Sequence, residues 1–514
     1  MEHTKKSSVL IISLTNIGNY AKITVSVFRE RMIDLKKILI SFLAAAALIS
    51  FGSCAKDENT PVAGNTTGDT AEEIVYDENG EAVKDDNFYF SDLSTERYDG
   101  YDFRILVRKT QQGTQYFEEP QEDIVDNAIY ERNKAVENRY GITISIHESD
   151  SNNYDTSALN SILAGDDAYD IIFTHSRAAF TYAVQGACLN YNDISTIHLD
   201  KPWWSKDIVE SCNINGNLFV LDGDISTSSL NAAMCMLFNK RIFDELGFDY
   251  PYETVRDGDW TFDEFAYYAK KGGADLDGDG VMTPENDQFG YGAGGSWSAP
   301  INILYTGGQK IYDKTEDGLL ELSLYSNKTV DIYDEYFSFM KNDACAPDLG
   351  VTPFSEGRLM IFSGSLGDIK NCRSMDDEFG VIPYPKFTDE DEYATVTNGG
   401  APLLIIPITV SDAERTGAVT EALCAYGSKL VIPAYYDRAL KTKYSRDDDS
   451  EEMMDIIKNS IIFDVGYLSG GPLQSTGYEL ANSTNQDFSS YYASRKESAQ
   501  KSLETFLEDY GGVE

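Results

Sequence analysis

The sequence predicts an α/β protein in two lobes, and three observations carry that expectation. Between residues 102 and 173 the patterns run strand, helix, strand, helix, strand, the signature of a parallel sheet with helices on its faces. About 425 residues remain after a polar amino-terminal stretch, more than a single core usually serves. Hydrophobic residues are 42% of the chain and aromatic residues 12%, enough to fill two such cores.

At the amino terminus, Met32 precedes the basic pair Lys36 and Lys37 and an apolar run from Ile38 to Phe51. The run is shorter than the roughly 20 residues of a membrane-spanning helix and ends in Gly52 and Ser53. Residues 1–53 therefore read as a cleaved signal peptide, with Met1 to Arg31 an over-extended start and initiation expected at Met32. Cys54, directly after a small residue, resembles the cysteine of a bacterial lipobox, with Phe51 where an aliphatic is usual. That resemblance implies lipidation at Cys54 and anchoring to the cell membrane. Residues 54–95 are expected to be the lipidated cysteine and a disordered tether, because acidic and small polar residues dominate there and bury too little surface to fold.

The folded elements follow in order. Asp102 to Val107 reads as a strand. From Asp123 to Tyr140, Val125, Ala128, Ile129, Val136 and Tyr140 share one face of a helix that Gly141 ends. Ile142, Ile144 and Ile146 alternate as a strand, Ser157 to Leu163 reads as a helix, and Asp170 to Phe173 as the third strand. Thr261 with Glu264, and Ser411 with Glu414, have the spacing of capping boxes. Asp487 to Tyr510 is a long amphipathic helix with Phe488, Tyr492, Ala499, Leu503, Phe506 and Tyr510 as candidate buried positions.

Charge and cysteines narrow the function. Lys and Arg number 42 against 85 Asp and Glu, a net charge of -43, which opposes nucleic acid and anionic bilayer surfaces as partners. Of seven cysteines, six follow Cys54, widely spaced and without a CxxC pair, so they are expected mostly as buried free thiols. No HExxH, no GxSxG and no Gly-Lys dipeptide occurs, which disfavours a metalloprotease, a serine hydrolase of that type and a P-loop NTPase.

A series of segments resembles the extracellular solute-binding proteins of family 1, the maltose-binding-protein-like lipoproteins of ABC transporters. YDIIFTHSRAAFTYAVQGACLNY at 169–191 is similar to that family's strand, loop and helix. GNLFVLDGDIS followed by MLFNKRIFDELG at 236–247 resembles the crossing into a second lobe. DGDWTFDEFAYYAKK, FSEGRLMIFSGSLGDIK with FGVIPYPK at 379–386, and the apolar strand at 401–407 follow in the family's order. The resemblance implies a two-lobed periplasmic-binding-protein-like fold of type II, with the ligand cleft between lobes and closure on binding. It places lobe one at 96–225 and 351–410, and lobe two at 226–350 and 411–514. It implies an extracytoplasmic, monomeric, non-enzymatic protein that captures a small solute, a mono- or oligosaccharide, and delivers it to ABC transporter permease subunits. The rival reading is a secreted glycoside hydrolase or another carbohydrate-active surface lipoprotein, which would need two carboxylates across a sugar.

Ligands of open α/β sheets sit outside the carboxyl ends of strands, which points to Thr174, His175, Ser176 and Arg177. Trp297 stands in the Gly/Ser-rich loop GAGGSWSAP, as a stacking platform or a plain loop residue. Gly364, Ser365 and Asp368 in the return segment, Asp224 and Ser226 at the first crossing, and Tyr435 and Tyr436 complete the candidate binding residues. ADLDGDGVMTPENDQFG has the spacing of a calcium loop, with Asp275, Asp277 and Asp279 at positions one, three and five, Gly280 at six and the Val281 carbonyl at seven. Position twelve is Asn286, where a bidentate Glu belongs, flanked by Glu285 and Asp287. The segment is either a structural Ca2+ site or an acidic turn, and no other cofactor is expected.

Overall fold

The computed structural model describes residues 86–109, 115–149, 153–295, 297–372, 374–397, 401–440 and 448–511. Cys54, the apolar run before it and residues 54–85 of the expected tether lie outside the described residues. The tether ends sooner than expected. Asp86–Phe90 is helical (α1), Tyr89 and Leu93 are buried, and the Phe90 ring stacks on Tyr426 at 4.3 Å. Acidic neighbours masked these few aromatic anchors in the sequence pattern.

Strands β1 (Asp102–Arg108), β2 (Thr143–Ser149) and β3 (Ile171–His175) are joined by helices α2 (Ile124–Tyr140) and α3 (Tyr154–Leu163). Both β2 and β3 pair parallel to β1, one on each side, as the alternation of patterns predicts. The α2 helix starts where the Asp123 carboxylate accepts the Val125 and Asp126 N–H groups at 2.9 and 3.3 Å, satisfying donors that the first turn leaves free. Val125, Ile129, Val136 and Tyr140 are buried along one face of α2; Ala128 is only half-buried. Helix α4 (Ser176–Val184) follows β3 directly.

The chain then enters a second sheet. It holds β4 (Met234–Asn239), β5 (Phe289–Ala293), β8 (Cys345–Ala346), β9 (Leu359–Ser365) and β10 (Phe379–Ile382), while β6 (Tyr312–Lys314) and β7 (Leu320–Leu322) form a separate hairpin. The strand order is β10-β4-β9-β5-β8, with β4 antiparallel to both neighbours. All six residues of β4 are buried, because Cys235 and Leu237 enter one core cluster while Met236 and Phe238 enter the other. Helix α5 (Phe262–Lys271) begins at Thr261, whose hydroxyl accepts the Glu264 N–H, and α6 (Ser298–Thr306) follows β5. After β10 the chain returns to the first sheet as β11 (Pro402–Ile405), antiparallel to β3.

This topology corrects the expected lobe boundaries. The resemblance places residues 351–410 in lobe one, yet β9 and β10 both pair with β4, and the chain rejoins the first sheet only at β11. A short buried strand carries no mark of which sheet it joins, since either sheet would bury it equally. The segment 411–514 is not confined to lobe two either. Helix α7 (Ala413–Tyr426) lies against α2, where its Ala418 carbonyl accepts from the Tyr140 hydroxyl at 3.2 Å. The N-cap of α7 is Asp412, not Ser411; Glu414 reaches away to accept from Ser195 and Thr196. Helix α8 (Asp448–Asn459) lies on β10, and α9 (Phe488–Gly511) spans both lobes. The amino end of α9 stacks Phe488 on Tyr325, and near its carboxyl end the Tyr510 hydroxyl donates to the Cys212 carbonyl at 3.1 Å. The six cysteines after Cys54 are free and buried. No helix among the described residues is long and apolar enough to cross a membrane.

Candidate functional site

The carboxyl end of β3, from the first sheet, and the start of α6, which follows β5 of the second, meet at a cavity of about 420 Å³. From the first sheet come His175, the last residue of β3, and Arg177, in the first turn of α4. From the second come Trp297, just before α6, and Ile301 and Leu304 on α6 itself. The remaining lining is Ile311, Leu324, Tyr333 and the segment 467–478, with Tyr467, Gln474 and Tyr478. Behind the lining residue Ile311, the buried Asp464 carboxylate accepts from the Tyr305 hydroxyl at 2.9 Å, the Ile311 N–H at 2.6 Å and the Gly466 N–H at 2.7 Å. Apolar and aromatic walls with a few placed donors are what a sugar needs, its C–H face against a ring and its hydroxyls toward polar groups.

His175 is oriented by its own helix. Its Nδ1 accepts the Arg177 N–H at 3.2 Å, so the neutral ring carries its proton on Nε2. Burial lowers the imidazole pKa; the guanidinium groups of Arg108 and Arg177 add to that, while Asp155 opposes it. A second cavity of about 370 Å³ adjoins through His175 and Arg177 and is lined further by Arg108 and Asp155. There Arg108 pairs with Asp155, and the Thr174 hydroxyl donates to the same carboxylate. The Arg177 guanidinium donates to the Gln474 side-chain oxygen, tying the start of α4 to the segment 467–478.

Of the expected binding residues, the structure brings His175, Arg177 and Trp297 together. Thr174 and Ser176 are buried beside them, and the Thr174 hydroxyl is taken up by Asp155. Gly364, Ser365 and Asp368 are structural: the Asp368 carboxylate accepts the Ser365 N–H at 2.9 Å and its hydroxyl at 2.8 Å, turning the chain out of β9. Tyr435 is buried in the second core cluster and donates to Asn231 at 3.1 Å; Tyr436 packs against that same cluster.

Asp224 and Ser226 line a different cavity, of about 470 Å³, beside the segments that cross between sheets. Its walls include Trp203, Trp204, Asp222, Tyr393 and Lys458, with Lys458 3.9 Å from Asp224. The two indole N–H groups both donate to the Glu421 carboxylate of α7, at 3.1 and 2.9 Å. Burial pushes the Asp222 and Glu421 carboxyls each up to about 7. Close approach shapes this region: a side chain at Gly427 would place its Cβ 2.0 Å from the Asp224 carbonyl oxygen.

Sequence reasoning missed Arg108, Asp155 and the segment 467–478. The first two sit at the carboxyl end of β1 and the start of α3, so extending the topological rule from β3 to its neighbour would have found them. The last contains SGGPLQSTGY, a Gly/Pro-rich stretch between helices of the kind that carries function.

In the acidic loop, one oxygen each of Asp275, Asp277 and Asp287 lies within 4.8 Å of the others. Asp279, Val281 and Glu285 are outside that group; the Val281 N–H donates to Asp279 at 2.7 Å. Both Asp275 oxygens accept backbone N–H groups, from Gly278 and Gly280, at 2.7 and 2.8 Å. Hydrogen bonds led by those from the Thr283 backbone hold the Asp287 carboxyl below its usual range.

No family model matches the chain, and no curated protein matches its sequence. Solved structures do match. UspC of M. tuberculosis is 13% identical, over 78% of this chain and 99% of its own, with a TM-score of 0.52. An ABC transporter solute-binding protein from Thermotoga lettingae TMO, bound to α-D-tagatose, is 15% identical over 79% and 100% at a TM-score of 0.50. One from Agrobacterium radiobacter K84, in complex with ribitol, is 14% identical over 79% and 99%, also at 0.50. At such identities the likeness is one of architecture, and the architecture is the two-lobed α/β fold of the ABC solute-binding proteins.

Proposed function

We propose that this chain is the substrate-binding component of an ABC importer: it captures a sugar or polyol outside the cytoplasm and hands it to a membrane permease, without catalysis. The observation that carries the reading is the cavity where the two lobes face each other, with His175 and Arg177 on one side and Trp297 on the other. Contacts from both lobes give a solute differential affinity for a closed form, which is how capture would be signalled to the permease. The tagatose and ribitol in two structures of this fold support the solute class. We further propose that Cys54 is lipidated and holds the protein at the membrane, and that the loop at 275–287 binds a structural Ca2+ through Asp275, Asp277 and Asp287, which would pin a turn in lobe two.

The test is a thermal-shift screen of the purified protein against mono- and oligosaccharides and polyols, with and without calcium, since a ligand that binds only the folded state raises Tm. A sugar or polyol should raise Tm and be recovered unchanged, and calcium should add a smaller, chelator-reversible rise. Recovery of cleaved sugar would replace this reading with a glycoside hydrolase, and no shift from any of them would overturn sugar capture.

A further inference from the structure

The cavity between the lobes has a charge balance opposite to that of the chain. Asp and Glu outnumber Lys and Arg by 85 to 42 overall. Yet in this cavity and its extension the charged side chains are Arg108, Arg177 and Asp155. Asp155 is matched by Arg108 and bonded by Thr174. Arg177 meets no carboxylate among the described residues, and its partner there is the neutral Gln474 amide oxygen. Arg108 Nε has no acceptor among the described residues. The lining thus offers N–H donors and one surplus positive charge, in a chain whose surface is otherwise acidic. Distant carboxylates weigh little against it, because charges beyond about 8 Å are screened at physiological ionic strength.

Resting on the solute-capture reading above, we propose that the solute is an acidic oligosaccharide, with the carboxylate of one uronic-acid unit paired to Arg177. One surplus charge suits a carboxylate better than a phosphate monoester, which carries about −1.5 to −2 at neutral pH. The planar guanidinium matches a carboxylate with paired N–H bonds, a geometry an ammonium lacks. The two compartments, about 420 and 370 Å³, join at Arg177 and His175, so a chain of sugars can continue through both. The acidic unit sits at the junction, and a flanking unit lies against Trp297.

Calorimetry on the purified protein tests this with trigalacturonate, a neutral trisaccharide of the same length and a sugar phosphate, each against wild type, Arg177→Gln and Arg177→Lys. Wild type should bind the uronate at least tenfold more tightly than the neutral trisaccharide. Arg177→Gln should weaken uronate binding at least tenfold more than it weakens neutral-trisaccharide binding, and Arg177→Lys should keep part of the preference. Unchanged melting of the ligand-free variants would show that folding is intact. Equal binding of acidic and neutral trisaccharides, or tighter binding of the phosphate, would overturn the uronate assignment and leave sugar capture standing. Failure of every sugar to bind wild type would overturn both. Parallel weakening of acidic and neutral ligands in Arg177→Gln would make Arg177 a wall and not a charge partner.

Discussion

Two cavities flank the crossing between the lobes, and they are built from opposite materials. The one between β3 and β5 has apolar walls, one half-buried tryptophan and a surplus arginine. The one beside the crossing segments has two buried tryptophans locked onto Glu421, and Asp207, Glu210, Asp222 and Asp224 against Lys206 and Lys458. In the first, His175, Arg177 and Trp297 project from a strand end, the first turn of a helix and a loop, so the core loses little if these three change. In the second, Trp203, Trp204 and the Glu421 they bond belong to the core. Size alone therefore does not tell the two apart in kind: the larger is held by the packing of the indoles on Glu421 of α7.

The largest effect should separate the two by substitution. Trp204 is 3% exposed and its indole N–H donates to a buried carboxylate. Trp204→Ala should therefore cost about 3–5 kcal/mol of stability in denaturant unfolding, as large-to-small core changes do. Trp297→Ala should leave stability within about 1 kcal/mol and weaken solute binding about tenfold or more, through lost stacking. A Trp204→Ala protein that keeps its stability and loses solute binding would place the solute site at the crossing.

What the sequence revealed follows the same division. The parallel order of β1, β2 and β3 was legible, because periodicity and caps act within a dozen residues, and with it the position of His175 and Arg177 at the end of β3. Trp297 was legible from its Gly/Ser-rich loop. The sheet that β9 and β10 join was not, since FGVI and LMIF would be buried equally well in either. Asp368 reads as functional from its place in the return segment, and Tyr435 as an aromatic beyond the helix that Ser411 and Glu414 were expected to cap. Only the fold shows that one fills a core and the other caps a turn. Glu421, inside an Ala/Leu-rich helix, gave no hint that two distant indoles converge on it.

The second prediction uses pH. The Asp222 and Glu421 carboxyls stand near 7 in the folded protein, raised first by burial, whereas unfolded carboxyls titrate near 4. Between these values the folded state binds more protons, so stability falls as pH rises from about 4 to 7 and then flattens. From pH 8 to pH 5.5 unfolding should become harder by about 1–3 kcal/mol. Glu421→Gln should shrink that gain, and Asp222→Asn should shrink it further. Burial shifts His175 down, which favours its neutral form, so solute affinity should hold steady between pH 6.5 and 8. Affinity that tracked stability across this range would tie the two cavities into one titrating unit.

The smallest effect should come from the contact that positions Arg177. Gly470 has φ +81°, and a Cβ there would stand 3.0 Å from Arg177 Nε and 3.3 Å from its Cδ. An alanine would thus be strained in its own backbone and would press on the guanidinium that Gln474 holds. Gly470→Ala should cost about 1 kcal/mol of stability, the usual penalty of a left-handed alanine. It should also weaken binding of an acidic oligosaccharide a few-fold, with a neutral one less affected, because the displaced group is the charged one. Stability lost with both affinities intact would mean that Arg177 finds its place without the segment 467–478. The interlobe cavity would then owe its charge to α4 alone, and the contrast with the crossing cavity would rest on one helix instead of on contacts from several parts of the fold.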